Sequence, residues 1–306
     1  MTKILGGKEI AEQIRAELAA GVAELRGRGG RVPGLTAVFV GEDSASEVYV
    51  ASKTRGCEEV GMIGRTLRLP ATITADAMRH TVNDLNADDT VDGILIQLPL
   101  PKGLPERELL DLVDPRKDVD GFHPENVGRL WLDQPGFVSA TPAGVIELLR
   151  RNDVPMVGQH AVVIGRSNIV GKPMAGLLLR EHCTVTLCHS RTRDLAAITR
   201  QADILIAAIG RPGFVGPQHV KEGAVVIDVG MNRVADREIA HRLFGESSSK
   251  RKTFETRGSV LTGDVDYERV SPIASAITPV PGGVGLLTVA MVLANTLQAA
   301  RRRQGL

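Results

Sequence analysis

The chain has 306 residues, beyond the length that one core usually serves, so two domains are expected. Hydrophobic residues make up 43%, ample for buried cores, and 37 basic against 36 acidic residues leave a net charge of +1, so nothing in the balance calls for a polyanion or an anionic membrane. Aromatic residues are only 3%, which argues against a base-stacking platform and a nucleic-acid partner.

The opening, Met1 to Gly7, turns polar too soon for a signal peptide, and no apolar run reads as long enough to span a bilayer. No membrane association is expected. The three cysteines, Cys57, Cys183 and Cys188, lack CxxC spacing and read as reduced thiols of a cytoplasmic protein. Ile10, Ile14, Leu18, Val22 and Leu25 predict an amphipathic helix that ends at Gly27 to Gly30. Leu35 to Val40 reads as a buried strand. It leads to a helix start at Asp43 to Lys53, where Ser44 and Glu47 have the spacing of a capping box. Tyr49 and Lys53 share one face of that helix, pairing an aromatic plate with an amine beside it. An exposed lysine next to a half-buried tyrosine gives the same pattern, so the pair alone leaves both readings open.

Thr66 to Leu69 reads as a strand, Met78, Val82 and Leu85 as a helix, and Gly93 to Leu98 as a third strand. Strand and helix alternate in the manner of a parallel sheet covered on its faces. Gln97 interrupts the third strand's apolar run near its carboxyl end, where open α/β sheets place ligands; an edge amide bonded to backbone is the other reading. A helix from Glu106 to Val113 precedes Asp118-Val119-Asp120-Gly121-Phe122-His123-Pro124. This turn-rich stretch marks the domain boundary, and Asp120 in it suits a ring amine or amidine as well as it suits an ordinary turn. The first domain is therefore drawn over residues 1–120 and the second over 121–285.

In the second domain, a helix from Thr141 to about Arg150 is followed by His160 to Pro173, read as strand, glycine turn and helix. Strands at Thr184 to Cys188, Asp203 to Gly210 and Ala224 to Gly230 complete a Rossmann-like, doubly wound parallel sheet. Cys183 and Cys188 fall on opposite faces of their strand, so the His-Cys and Cys-His pairs there predict no metal site. Residues 235–258 are polar and charged and read as a mobile surface insertion. Ile277 to Gly285 is a Pro-Gly turn, and Val289, Val292, Leu293, Thr296 and Leu297 predict a last helix.

Gly165 and Gly171 are more widely spaced than in GxGxxG, but they follow an apolar strand and open a helix, where amides can face a pyrophosphate. The next strand ends Cys188-His189-Ser190-Arg191-Thr192-Arg193, with no carboxylate before Asp194. A hydroxyl and two guanidinium groups at that point suit a 2′-phosphate, which predicts NADP rather than NAD.

Tyr49-x-x-Ser52-Lys53, Ile96 to Pro101, Asp118 to Phe122, Gly165-Arg166-Ser167-x-Ile169-Val170-Gly171-x-Pro173 and Pro279 to Gly285 occur in one order. Together, over almost the whole chain, they resemble the bifunctional methylenetetrahydrofolate dehydrogenase/methenyltetrahydrofolate cyclohydrolase family. The resemblance implies an α/β protein of two α/β domains flanking a cleft, with the helix of residues 286–306 packed back on the first, and a homodimer. It implies oxidation of methylenetetrahydrofolate by NADP and hydrolysis to 10-formyltetrahydrofolate, with a dehydrogenase that has lost hydrolysis as the alternative. It further implies Lys53 as acid/base, Gln97 tuning it, Tyr49 against the folate ring and Asp120 anchoring the pterin. Leu98, Pro281, Gly282 and Gly283 would border the folate. Gly165, Arg166, Ser167, Ser190 and Arg191 would contact the cofactor, with Met231 touching it by backbone. Leu286 stands where the family usually has proline, so a less rigid turn is expected there, and Met231 replaces a branched aliphatic.

Overall fold

Ile10, Ile14, Leu18, Val22 and Leu25 are all buried and form the inner stripe of helix α1 (Lys8–Gly27), which follows a short strand, β1 (Lys3–Ile4). The computed structural model describes residues 2–42 and 44–305, with the side chains of residues 44–46, 48 and 49 outside the described set. Next come β2 (Gly34–Val40), α2 (Ser44–Glu59), β3 (Ile63–Leu69), α3 (Ala75–Ala87) and β4 (Gly93–Ile96). Short helices α4 (Glu106–Asp111) and α5 (Pro124–Trp131) lead to α6 (Ala140–Arg151). The chain then runs β5 (His160–Ile164), α7 (Gly171–Arg180), β6 (Thr184–Cys188), α8 (Leu195–Thr199), β7 (Ile204–Ala207) and β8 (Val225–Asp228). It ends through β9 (Asn232–Val234), α9 (Arg237–Leu243), α10 (Ser249–Arg257), β10 (Val260–Thr262), α11 (Tyr267–Val270), β11 (Ala276–Ile277) and α12 (Val284–Gln304).

These elements make two compact units, one of residues 11–140 and 288–306, the other of residues 1–10 and 141–287. The first unit has a three-stranded parallel sheet in the order β3-β2-β4. Every residue of β2 is buried, as a central strand covered on both faces requires. Val38, Val40, Met78, Val82, Ile94, Ile96 and Leu109 pack together beside it. Asp92 is fully buried and takes two bonds from Arg31 (2.7 and 2.6 Å), one from the Gly34 amide (3.0 Å) and one from Arg303 (2.8 Å). A buried carboxylate so fully met ties the end of α12 to the start of β4.

The units divide at places other than the line drawn at residue 120. Residues up to 140 stay with the first unit because Asn126 on α5 donates to Asp118 and to the Pro115 carbonyl, both at 2.9 Å. Asn295 on α12 also donates to the carbonyls of Val119 (2.8 Å) and Val138 (3.0 Å). The first ten residues join the other unit because β1 pairs with β11, a partner too remote in sequence for local patterning to reveal.

The second unit is built on a six-stranded parallel sheet in the order β1-β11-β8-β7-β5-β6. From β5 the chain builds outward to β6 and then returns to β7 on the other side. The switch point therefore lies between the carboxyl ends of β5 and β7, where such sheets hold ligands. The expectation of a mobile insertion at residues 235–258 is corrected. Asp236 and Ser248 cap α9 and α10, and Val234, Ala240, Leu243, Phe244, Phe254 and Val260 form a small core there. The polar surface of those helices hid a sparse apolar face. A second correction concerns α12, which is long and apolar enough by length and composition to cross a bilayer. Its Leu287, Ala290, Val292, Leu293 and Leu297 are buried within the protein.

Candidate functional site

Lys53 lies on the inner stripe of α2, between Val50 and Cys57, both buried. Its own exposure is 8%, and burial lowers its amine from the usual lysine value, with Asp120 pulling the other way. Lys53 Nζ donates to Gln97 Oε1 at 3.1 Å. Gln97 directly follows β4, and its backbone amide donates to the Val38 carbonyl at 2.9 Å. Its Nε2 donates to the Leu98 carbonyl at 2.8 Å, which leaves Oε1 for the amine. Cys57 stays a thiol, pushed up to about 12 by burial and by Glu58.

Half-buried Asp120 completes this group. Burial raises its carboxyl to about 6, against the attraction of Lys53 and with added repulsion from Asp118. The structure thus brings Lys53, Gln97 and Asp120 together around one amine. Tyr49 belongs to α2, but its side chain lies outside the described residues, as does that of Ser44 in the expected capping box. Glu47, the box's other member, is exposed and pairs with Arg68 at 2.8 Å.

The two aspartates of Asp118-Val119-Asp120 do different work, which sequence reasoning missed. Asp118 is buried and accepts the amides of Phe122 (3.1 Å) and His123 (2.9 Å) as well as the Asn126 bond. It shapes the turn and leaves Asp120 without such duties. Gly121 sits at φ +70, and a Cβ there would collide with the Val138 backbone.

In the second unit, Gly165 follows β5 at φ +130, and a Cβ on it would run into the Ala208 carbonyl at the end of β7. A Cβ on Gly171 would run into the Gly165 carbonyl. The two glycines thus keep the turn flat against the switch point, where a diphosphate's backbone could approach. Arg166 and Ser167 are exposed in this turn. The Ser167 hydroxyl accepts from the amides of Val170 (3.1 Å) and Gly171 (3.3 Å), so it is engaged within the turn before α7 rather than standing free. Ser190 and Arg191 are exposed just beyond β6, as is Arg193. No carboxylate is shown against Arg166, Arg191 or Arg193 among the described residues. This charge arrangement, with the glycine cradle, fits a phosphorylated dinucleotide.

In the turn before α12, Gly282 has φ +107 and its carbonyl accepts the Gly7 amide at 2.8 Å. Pro281 and Gly282 are exposed and Gly283 is buried. Lys250 on α10 also reaches this turn, bonding the Val280 carbonyl at 2.6 Å. Met231 is 43% exposed just before β9. Leu286 is exposed in the first turn of α12, which starts at Val284.

Two family models match the chain, the tetrahydrofolate dehydrogenase/cyclohydrolase catalytic domain over residues 5–120 and the corresponding NAD(P)-binding domain over residues 139–304. The bifunctional protein FolD of Koribacter versatilis is 49% identical over 305 residues, covering 100% of this chain and 99% of its own. The crystal structure of the bifunctional dehydrogenase/cyclohydrolase from Campylobacter jejuni is 42% identical with a TM-score of 0.88, covering 99% of this chain and 100% of its own. The Trypanosoma brucei enzyme, solved with NADP and an inhibitor, is 38% identical with a TM-score of 0.88 over 98% of each chain.

Proposed function

Because the chain belongs to the tetrahydrofolate dehydrogenase/cyclohydrolase family, we infer how its residues divide that family's two reactions. The enzyme oxidises 5,10-methylenetetrahydrofolate with NADP to 5,10-methenyltetrahydrofolate and hydrolyses that product to 10-formyltetrahydrofolate. NADP, when bound, supplies the hydride acceptor. Gly165 and Gly171 give its diphosphate room, Arg166 and Ser167 border it, Met231 meets it by backbone, and Ser190 and Arg191 hold the 2′-phosphate. Tyr49, Leu98, Pro281, Gly282 and Gly283 border the folate, and Asp120 anchors the pterin.

Lys53 is the acid/base of hydrolysis. Water adds to the cationic methenyl carbon, and its proton passes to the uncharged Nζ. The resulting ammonium returns a proton to the ring nitrogen as the carbon–nitrogen bond opens, the adduct's hydroxyl proton leaves to solvent as its oxygen becomes the formyl carbonyl, and the amine is regenerated with one proton released overall. At neutral pH an ordinary lysine is almost wholly charged. Burial favours the neutral amine, and an uncharged amide beside it orients the lone pair without fixing the charge. Oxidation asks less of side chains, since the folate nitrogens drive it and the protein holds donor and acceptor together.

The bond from buried Lys53 to Gln97 Oε1 carries this reading. A stopped assay that follows methenyltetrahydrofolate and NADPH together tests it in Lys53→Met. NADPH formation should persist while methenyltetrahydrofolate accumulates, and normal hydrolysis would refute the assignment. A homodimer in the cytoplasm accompanies this reading; three free, buried thiols are compatible with a reducing compartment, and sedimentation measures the assembly state.

A further inference from the structure

Two buried carboxylates in the second unit take no part in the chemistry above. Asp264 follows β10 and is fully buried. Its Oδ2 accepts the amides of Ile209 (2.6 Å) and Gly210 (2.9 Å). Its Oδ1 accepts the amide of Arg211 (2.8 Å) and the side chain of Asn232 (2.9 Å). Three successive amides converging on one anion form a backbone nest, with Gly210 at φ +73. The nest lies just past β7, whose next residue, Ala208, abuts Gly165 at the switch point. The protein's own carboxylate, not a ligand, fills it.

Asp264 is itself held in place. Asp228, at the end of β8, accepts the amides of Asp264 (Oδ1, 2.9 Å), Gly230 (Oδ1, 2.9 Å) and Val265 (Oδ2, 2.9 Å). The glycines around the pair are there for room. A Cβ on Gly230 would collide with the Asp264 carboxylate, and one on Gly263 with that of Asp228. Burial pushes Asp228 up to about 7, so the protein bears an electrostatic cost to keep this arrangement.

We propose that Asp264 is a positioning residue for the cofactor: seated on Asp228, it fixes residues 209–211 and Asn232 so that the switch point accepts the diphosphate and nicotinamide half of NADP. This rests on the cofactor placement above. In Asp264→Asn the side chain keeps its shape, but one of its two ends becomes an NH2 facing N–H donors. Whichever way the amide turns, two donors lose their acceptor, and the loop must move.

Calorimetric titration with NADP and, separately, with adenosine 2′,5′-bisphosphate tests the proposal in the full chain. The second probe carries the 2′-phosphate end but no nicotinamide. Asp264→Asn should weaken NADP at least tenfold, leave adenosine 2′,5′-bisphosphate within twofold, and leave hydrolysis of methenyltetrahydrofolate within twofold. Asn232→Ala removes one of the four bonds and should weaken NADP about threefold in the same selective way, which keeps the test available should Asp264→Asn not fold. An unchanged NADP affinity, or equal weakening of both probes, overturns the proposal. The double variant Arg191→Gln/Arg193→Gln checks the underlying placement, since it should weaken both probes. If it weakens neither, the cofactor reading has failed; if it weakens both while the Asp264 and Asn232 variants keep full NADP affinity, only the positioning role has failed.

Discussion

The first unit buries two lysines, and they are solved in opposite ways. Lys117 is 2% exposed, and its Nζ donates to the carbonyls of Leu85 (2.9 Å), Asn86 (2.8 Å) and Asp88 (2.7 Å). Those carbonyls end α3, where a cation meets both unpaired acceptors and the negative end of the helix. Three acceptors need three N–H bonds, and a neutral amine has only two. Lys53 is 8% exposed, yet the one acceptor shown for it among the described residues is an amide oxygen. Burial lowers both amines, and at Lys117 the repulsion of Arg303 adds to it. Equal burial therefore does not mean equal function. The number of acceptors around the nitrogen separates an amine held as a charged strut from one free to exchange its proton.

The largest expected effects test that contrast directly. Lys53→Met should cut hydrolysis by about 10² to 10⁴, the range general acid–base groups supply, while leaving thermal stability unchanged or slightly raised. Lys117→Met should do the reverse. It strands three buried carbonyls and should cost about 3 to 5 kcal/mol in urea unfolding, while the folded fraction hydrolyses at nearly the normal rate. Equal losses of activity in the two variants would erase the distinction. The sign of linkage sharpens it. A lysine whose folded value lies below its unfolded value binds fewer protons when folded, so stability should rise with pH from the lowered folded value up to the unfolded value of 10.5. Lys53→Met should lose the part of that rise that Lys53 contributes and keep the part due to Lys117, whose amine is also lowered.

A smaller effect is expected at Gln97. In Gln97→Glu a carboxylate replaces the uncharged acceptor at 3.1 Å and favours the ammonium. The rising alkaline limb of hydrolysis against pH should move up by about 1 to 3 pH units, with about tenfold or greater loss near neutrality. NADPH formation should change less. A limb that stays in place would mean that the amine's proton is not what this limb reports.

Much of this was legible in the residues. Period and punctuation gave the alternating strands and helices, and an amide in an apolar run marked Gln97 before its partner was known. Lys117 was not legible. Pro115-Arg116-Lys117-Asp118 reads as a solvated charge run, and only the docking of α3's last carbonyls makes its lysine a buried strut. The split between Asp118 and Asp120 was hidden likewise, since adjacent-but-one aspartates look alike until the turn folds back onto one of them. Asp228 and Asp264 are joined through amides of residues far apart in sequence, so neither carries a local mark. The insertion at residues 235–258 misled because its few apolar residues are diluted by charge; it takes two helices and an antiparallel pair of flanking strands to gather them.

The smallest effect concerns Asp120, the carboxylate whose charge acts on the Lys53 amine. Burial raises it from 3.8 to about 6, so it is charged above that value and neutral below it. As pH falls through about 6, a protonated Asp120 should hold the pterin less well, and KM for methenyltetrahydrofolate should rise a few fold. Lys117→Met should retain this acid limb, and Asp120→Asn should lose it. The stability change runs the other way. A carboxyl raised on folding binds its proton more readily in the folded state, so between about 6 and 4 its contribution favours the folded protein as pH drops. The melting temperature of the wild type relative to Asp120→Asn should therefore climb over the same interval in which its KM worsens. Loss of affinity and of stability in parallel would show that the acid limb is unfolding rather than titration of this group.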